Sequence, residues 1–302
     1  MKARRTPFVP FENLTWDAQV SYLGEGSFGV VRRHTCDIPT LGKRDVAIKE
    51  VSLKTSPRAA RKFKLELDVM KFIHRHGPVR GIPCLYGYNI SSMVLVLEYF
   101  PSESLECILT RGSVESAFAF SILDQLVTVL VYLKGRGIAH LDLKPANILV
   151  SMKTTEIKLI DFDICRYNVG SFDMGIINEG SPLYMSPQSL LDEPTGYFVA
   201  QVWTLGIIFY EMLYGEPPYT PRTIYELKLE IVRLFYGVDY TFGNHPEDEC
   251  WVLRHTLRYR PEARASMETI RKYLDFAKTK KAITTMMRPE ENPSTNTMDC
   301  TN

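Results

Sequence analysis

The stretch His140-Leu141-Asp142-Leu143-Lys144-Pro145-Ala146-Asn147-Ile148-Leu149 places an aspartate, a lysine and an asparagine at i, i+2 and i+5. Phosphoryl transfer to a hydroxyl needs a carboxylate near the nucleophile, a cation on the moving group and an oxygen ligand for a metal. Asp142, Lys144 and Asn147 supply these in turn, and a chance loop seldom carries the arrangement. Soon after, Asp161-Phe162-Asp163 follows the apolar run from Ile157 to Ile160. A carboxylate at a strand end is a suitable hard ligand for Mg²⁺ beside a triphosphate, so Asp161 is the second metal candidate.

Working outward toward the N-terminus, Gly24-Glu25-Gly26-Ser27-Phe28-Gly29-Val30-Val31 is a glycine-rich run with spacing GxGxxGxV. Glycines at 24, 26 and 29 let backbone N–H groups approach phosphates and form a tight turn. By itself the run also fits an ordinary hairpin or a dinucleotide fold. A dinucleotide loop opens a helix, whereas here another strand-like run follows and leads to Val46-Ala47-Ile48-Lys49. That combination fits a phosphate-covering hairpin followed by a lysine at the triphosphate. Such a lysine needs a carboxylate to position it. Glu66 lies in an amphipathic helix, with Phe63, Leu67, Met70 and Ile73 on one face. Glu50 and Asp68 compete. Glu50 neighbours Lys49 and points to the other side of the strand. Asp68 sits about 200° around the helix from Glu66.

In this order the motifs resemble the eukaryotic protein kinase superfamily over roughly residues 16 to 275. Lys144 in Leu-Lys-Pro-Ala-Asn resembles the Ser/Thr branch. The resemblance implies an α+β bilobal fold: a small antiparallel-sheet N-lobe with one key helix (16–98) and a larger helical C-lobe (99–275). It implies ATP with Mg²⁺ (Mn²⁺ as the alternative metal) and a protein substrate bearing Ser or Thr. Leu23, Val31, Ala47 and Leu149 are implied to sandwich adenine, with Leu97 as gatekeeper and Glu98 to Phe100 as the hinge. Gly180 to Pro187 resembles the substrate platform of an activation segment running from Asp161 to Gln188. Ser181 is implied to bond Asp142 and Lys144.

Four positions depart from the family pattern: Leu141 for arginine, as in Mos-like kinases, Asp163 for glycine, Gln188 for glutamate and Gln201 for aspartate. A catalytically weak binding or scaffolding module is therefore the alternative function. Leu141 and Gln201 read as coupled changes, since the usual arginine needs anionic company. Asp163 is expected to add charge beside the metal. With Arg166 the only basic residue in the segment, the loop is expected to be held without phosphate by Ile164, Ile176 and Ile177. Compact kinases with divergent motifs also occur among viral proteins.

The 302 residues are 45% hydrophobic and 24% charged, enough for a sizeable core in two lobes. A formal charge of +1 provides no general field toward nucleic acid or an anionic membrane. The apolar run Val202 to Leu213 is shorter than the ~20 residues of a membrane span. No apolar signal core follows the N-terminus. Six scattered cysteines without a CxxC pair suggest reduced thiols and an intracellular protein, cytoplasmic or nuclear; the chain is separately expected to be a monomer. Residues 1–15 read as an extension and 276–302 as a partly disordered tail.

Overall fold

The computed structural model describes residues 9–26, 29–39, 41–52, 57–75, 77–235 and 246–286. Its N-terminal part is a six-stranded sheet. The strands are β1 (Val9–Pro10), β2 (Thr15–Gly26), β3 (Gly29–Ile38), β4 (Gly42–Val51), β5 (Leu85–Asn89) and β6 (Val94–Glu98), in the order β1-β5-β6-β4-β3-β2. All pairs are antiparallel except β1 with β5. The glycine run joins β2 to β3 as a hairpin, with Gly26 opposite Gly29, which removes the dinucleotide-fold alternative. Its tip, Ser27 and Phe28, lies outside the described residues.

Period-two alternation gives β4 two distinct faces. Val46 and Ile48 are buried with Val9, Leu14, Cys36, Ile38 and Val96, while Ala47 and Lys49 point the other way. The N-terminal extension is therefore not separate from the lobe: Val9 and Leu14 belong to its core. Helix α1 (Pro57–Arg75) buries Ala59, Phe63, Leu67, Met70 and Ile73 as their spacing predicts.

The rest is mainly helical. After β7 (Glu103–Ser104) come α2 (Leu105–Leu109), α3 (Ser116–Lys134), β8 (Ile138–Ala139), β9 (Ile148–Val150) and β10 (Ile157–Leu159). Then follow β11 (Arg166–Tyr167), β12 (Met174–Gly175), α4 (Pro187–Leu190), β13 (Thr195–Gly196) and α5 (Tyr197–Tyr214). Helices α6 (Ile224–Phe235), α7 (Glu247–Thr256) and α8 (Met267–Met286) complete the chain. Helix α3 is long and apolar enough to cross a membrane by length and composition. Here its apolar residues, among them Ile122, Leu126 and Leu130, enter the core, and it packs against α5 and α8. Helix α8 runs on to Met286, so the segment read as tail begins as helix; 287–302 lie outside the described residues. The catalytic stretch sits between β8 and β9, and β10 leads into Asp161.

Candidate active site

Lys49 ends the cleft-facing side of β4, and its Nζ lies 2.7 Å from Glu66 Oε2 and 2.8 Å from Asp161 Oδ1. The lysine therefore bridges α1 and the residue after β10. Glu50 points away and pairs with Arg32 at 2.5 Å. Burial works against the Lys49 charge, but Glu66 and Asp161 outweigh it and raise its pKa above the usual lysine value. Burial likewise opposes ionisation of Asp161, yet Lys49 prevails and holds its pKa below the usual value. Both groups are thus charged when a phosphate arrives.

The catalytic stretch is tied together by its own side chains. Asp142 Oδ2 lies 2.9 Å from Lys144 Nζ, and Asp142 Oδ1 accepts from Ser181 Oγ at 2.9 Å. Lys144 Nζ also donates to Ser181 Oγ at 2.9 Å, closing a triangle between the catalytic stretch and the substrate platform. Asn147 Nδ2 donates to the Asp142 carbonyl at 2.8 Å and to Asp142 Oδ2 at 3.1 Å. Its amide oxygen is then the atom suited to a cation. With the Asp161 carboxylate it forms a hard, all-oxygen donor set, which fits Mg²⁺ or Mn²⁺ completed by phosphate oxygens.

His140 is buried, and burial lowers its pKa, so the ring is neutral. Its Nε2 donates to the Ile160 carbonyl at 3.0 Å, and Nδ1 accepts from Asp142 N at 3.3 Å. Phe162 is also buried and meets that ring edge-on at 4.9 Å. The histidine thereby joins the backbone before Asp161 to that of Asp142. Gly180 has φ +129°, and a Cβ there would lie 3.0 Å from the Leu141 carbonyl oxygen. Only glycine permits that approach of the activation segment without strain.

The nucleotide candidates line the cleft unevenly. Val31 pairs with Lys49 across β3 and β4; Val31, Ala47 and Leu149 are half-buried, and Leu23 is exposed. Gly24 has no atom within 4 Å of the place a Cβ would take, so its backbone is open to approach. At Gly29 a Cβ would fall 2.1 Å from the Glu50 carbonyl oxygen, which makes glycine necessary for strand pairing. Gly26 ends β2, and Phe100 follows the hinge half-buried. The Glu98 side chain is committed elsewhere: Oε2 accepts from Cys84 N at 3.0 Å and from Lys158 Nζ at 2.8 Å. Any nucleotide contact from Glu98 must therefore be through its backbone.

All four departures have visible consequences. Leu141, at φ +62°, lines one small cavity with Leu143, Ile177, Gln201 and the hydroxyl residues Ser186 and Thr204, so the arginine-less slot is lined by neutral residues without a charged partner. Gln201 Nε2 has no hydrogen-bond partner among the described residues. Gln188 Oε1 accepts from Arg264 Nη2 at 2.6 Å. Asp163 stays near Asp161, and its carboxylate pairs with Lys62 Nζ at 3.1 Å. Ile164 and Ile177 are buried, but Ile176 is 51% exposed and cannot anchor the segment as expected.

Sequence reasoning missed Lys62, Lys158 and the polar supports of the platform. Among those supports, Tyr184 Oη donates to Glu211 Oε2 at 2.9 Å and Tyr219 Oη donates to the Leu183 carbonyl at 2.6 Å. For Lys62 a signal existed in its i, i+4 spacing from Glu66. The others join distant segments and left none.

The match to known proteins agrees with this geometry. Residues 18–274 match the protein kinase domain family. The human serine/threonine-protein kinase ULK3 is 31% identical over 212 residues, covering 69% of this chain and 44% of that protein. Serine/threonine-protein kinase 36 of Pongo abelii is 32% identical over 212 residues, 68% of this chain and 15% of that one. The Xenopus laevis serine/threonine-protein kinase stk11 is 29% identical over 266 residues, 85% of this chain and 60% of its own. The matched region thus spans less than two thirds of each of these relatives. With a family match over most of its length and the motifs assembled in one cleft, the chain belongs to the protein kinase domain family.

Proposed function

We propose that this chain is an active Ser/Thr protein kinase that transfers the γ-phosphate of ATP to protein hydroxyls, using Mg²⁺, with Mn²⁺ as the substitute. The observation that carries this reading is the triangle of Asp142, Lys144 and Ser181, set beside Lys49–Glu66–Asp161. Asp142 orients the substrate hydroxyl and accepts its proton at a carboxylate oxygen. Lys144 steadies the charge that develops on the transferred group. Lys49, held by Glu66, positions the triphosphate, and Asn147 and Asp161 hold the metal. When bound, that metal neutralises phosphate charge. Leu23, Val31, Ala47 and Leu149 supply apolar surface for the base, and Gly24, Gly26 and Gly29 supply close-approaching backbone.

A binding module without catalysis would not need this set of opposed charges maintained in one cleft. The named Ser/Thr kinase relatives and Lys144 support Ser/Thr rather than Tyr as acceptor. Five free cysteines among the described residues support an intracellular site of action, and we read the chain as a monomer. The test is incubation with Mg·ATP and a generic basic protein, followed by phosphoamino-acid analysis. The expected outcome is phosphoserine and phosphothreonine, with the rate reduced about 10²–10⁴-fold by Asp142→Asn. Equal incorporation by both proteins would overturn the catalytic assignment, and phosphotyrosine alone would overturn the acceptor class.

A further inference from the structure

The kinase reading leaves one ion pair of the cleft unused. Lys62 lies on α1 four residues before Glu66, about 6 Å along the same helix face. Its Nζ is 3.1 Å from Asp163 Oδ2, across 101 residues of sequence. The two side chains are only 14% and 13% exposed. By contrast, Arg58 and Glu179 also join α1 to the activation segment at 3.1 Å, but with side chains 59% and 36% exposed. An exposed pair of that kind contributes little, whereas stripping one partner from a buried pair leaves an uncompensated charge.

We propose that Lys62 is a positioning residue: by pairing with Asp163 it fastens α1 to the start of the activation segment and so holds Glu66 against Lys49. Glu66, Asp161 and Asp163 are three carboxylates sharing one region with two lysines, Lys49 and Lys62. Without Lys62, Asp163 would face Asp161 and Glu66 with Lys49 as the nearest remaining lysine of the cluster. The Lys49 pairs would then be shared with a third acid. Asp163 stands where the family pattern has glycine, which has no side chain to reach Lys62. The departure thus supplies a second attachment, one helical turn from the first. Phe162, between the two aspartates in sequence, is buried against His140 and anchors the backbone from which Asp163 extends.

The proposal rests on the kinase reading only for its kinetic consequence, so its test has two limbs. The full chain is compared with Lys62→Met, Lys62→Arg, Asp163→Asn and the double variant Lys62→Met/Asp163→Asn. Hydrogen exchange is followed over residues 57–75 without substrate, and kcat and KM for ATP are measured separately. For Lys62→Met, exchange in α1 should rise about tenfold, because local opening loses one of its tethers. Its kcat should fall about tenfold or more, with KM for ATP moving less than about threefold, as expected of misplacement rather than lost binding. Lys62→Arg should stay within about threefold in both limbs, and the double variant should be no worse than the poorer single variant. Parent-like exchange in Lys62→Met, whatever its kcat, would overturn the fastening, and so would single effects that multiply in the double variant. If the parent shows no Asp142-dependent transfer, the kinase reading fails, while the exchange limb still decides the fastening.

Discussion

Replacing Gln188 by alanine tests how this chain manages a buried guanidinium without a carboxylate. Arg264 is 8% exposed and Gln188 is 4% exposed. The guanidinium donates to Gln188 Oε1 at 2.6 Å and to the carbonyls of Arg258, Tyr259 and Val199 at 2.8, 3.0 and 3.3 Å. It also lies 5.2 Å from the centre of the Trp203 ring. Gln188 Nε2 donates in turn to the Tyr259 carbonyl at 2.9 Å. Burial lowers the Arg264 pKa to about 9, which leaves it charged at neutral pH. Between that value and the higher, ordinary guanidinium value of the unfolded chain, the unfolded chain keeps a proton that the folded chain releases, so this group's contribution to stability rises with pH. At neutral pH its burial is therefore a cost that the surrounding oxygens offset.

Alanine removes one charge-assisted bond of about 1.5–3 kcal/mol and one neutral bond of about 1 kcal/mol. The loss is roughly 2.5–4 kcal/mol, or a fall in Tm of roughly 5–8 °C at about 2 °C per kcal/mol for a chain of this size. Gln188→Glu should stay within about 1 kcal/mol of the parent. The new Coulomb attraction is offset by desolvation of the carboxylate and by loss of the donor to Tyr259. Thermal melts at pH 7.5, with urea titrations to check ΔG, measure both variants. A melt of Gln188→Ala within about 1 °C of the parent would refute the reasoning, because the two bonds would then carry no net weight.

Lys49→Met and Asp161→Asn should each abolish phosphotransfer while leaving circular dichroism native; normal turnover by either in matched preparations would remove it from the site. Phosphatase treatment, checked by mass spectrometry, should leave the initial rate unchanged, because Leu141 cannot bind a phosphate and buried Ile164 and Ile177 help hold the segment. A large rate loss reproduced by Ser171→Ala or Tyr167→Phe would contradict this. Burial pushes the thiol pKa of Cys165 up to about 12 and that of Cys84 up to about 11. Among the described cysteines, iodoacetamide at pH 8 should therefore modify exposed Cys107 first, and peptide mapping that finds Cys165 modified as fast as Cys107 would show the thiol is not buried as described.

The catalytic stretch was legible because its residues are contiguous: Asp142, Lys144 and Asn147 declare their chemistry within six positions. The partner of Lys49 was nearly so, since helical spacing separates Glu66 from Asp68 and strand alternation turns Glu50 away. The helix that carries Glu66 announced itself through the apolar period of Phe63, Leu67, Met70 and Ile73, all buried in α1. Edge strand β1 was not legible, because two residues contain no period; its place depends on Val9 and Leu14 finding the far face of the sheet. The same limit hid the contacts that give the departures their meaning. Asp163 suggested a charge beside the metal but not the Lys62 that the fold brings to it, and Glu98 a simple hinge residue until Lys158 arrived from β10. Local order in the chain determines which chemistry is present, since residue types and short spacings carry it. Which charges meet depends on segments 60 to 112 residues apart, and only the packed tertiary structure brings those together.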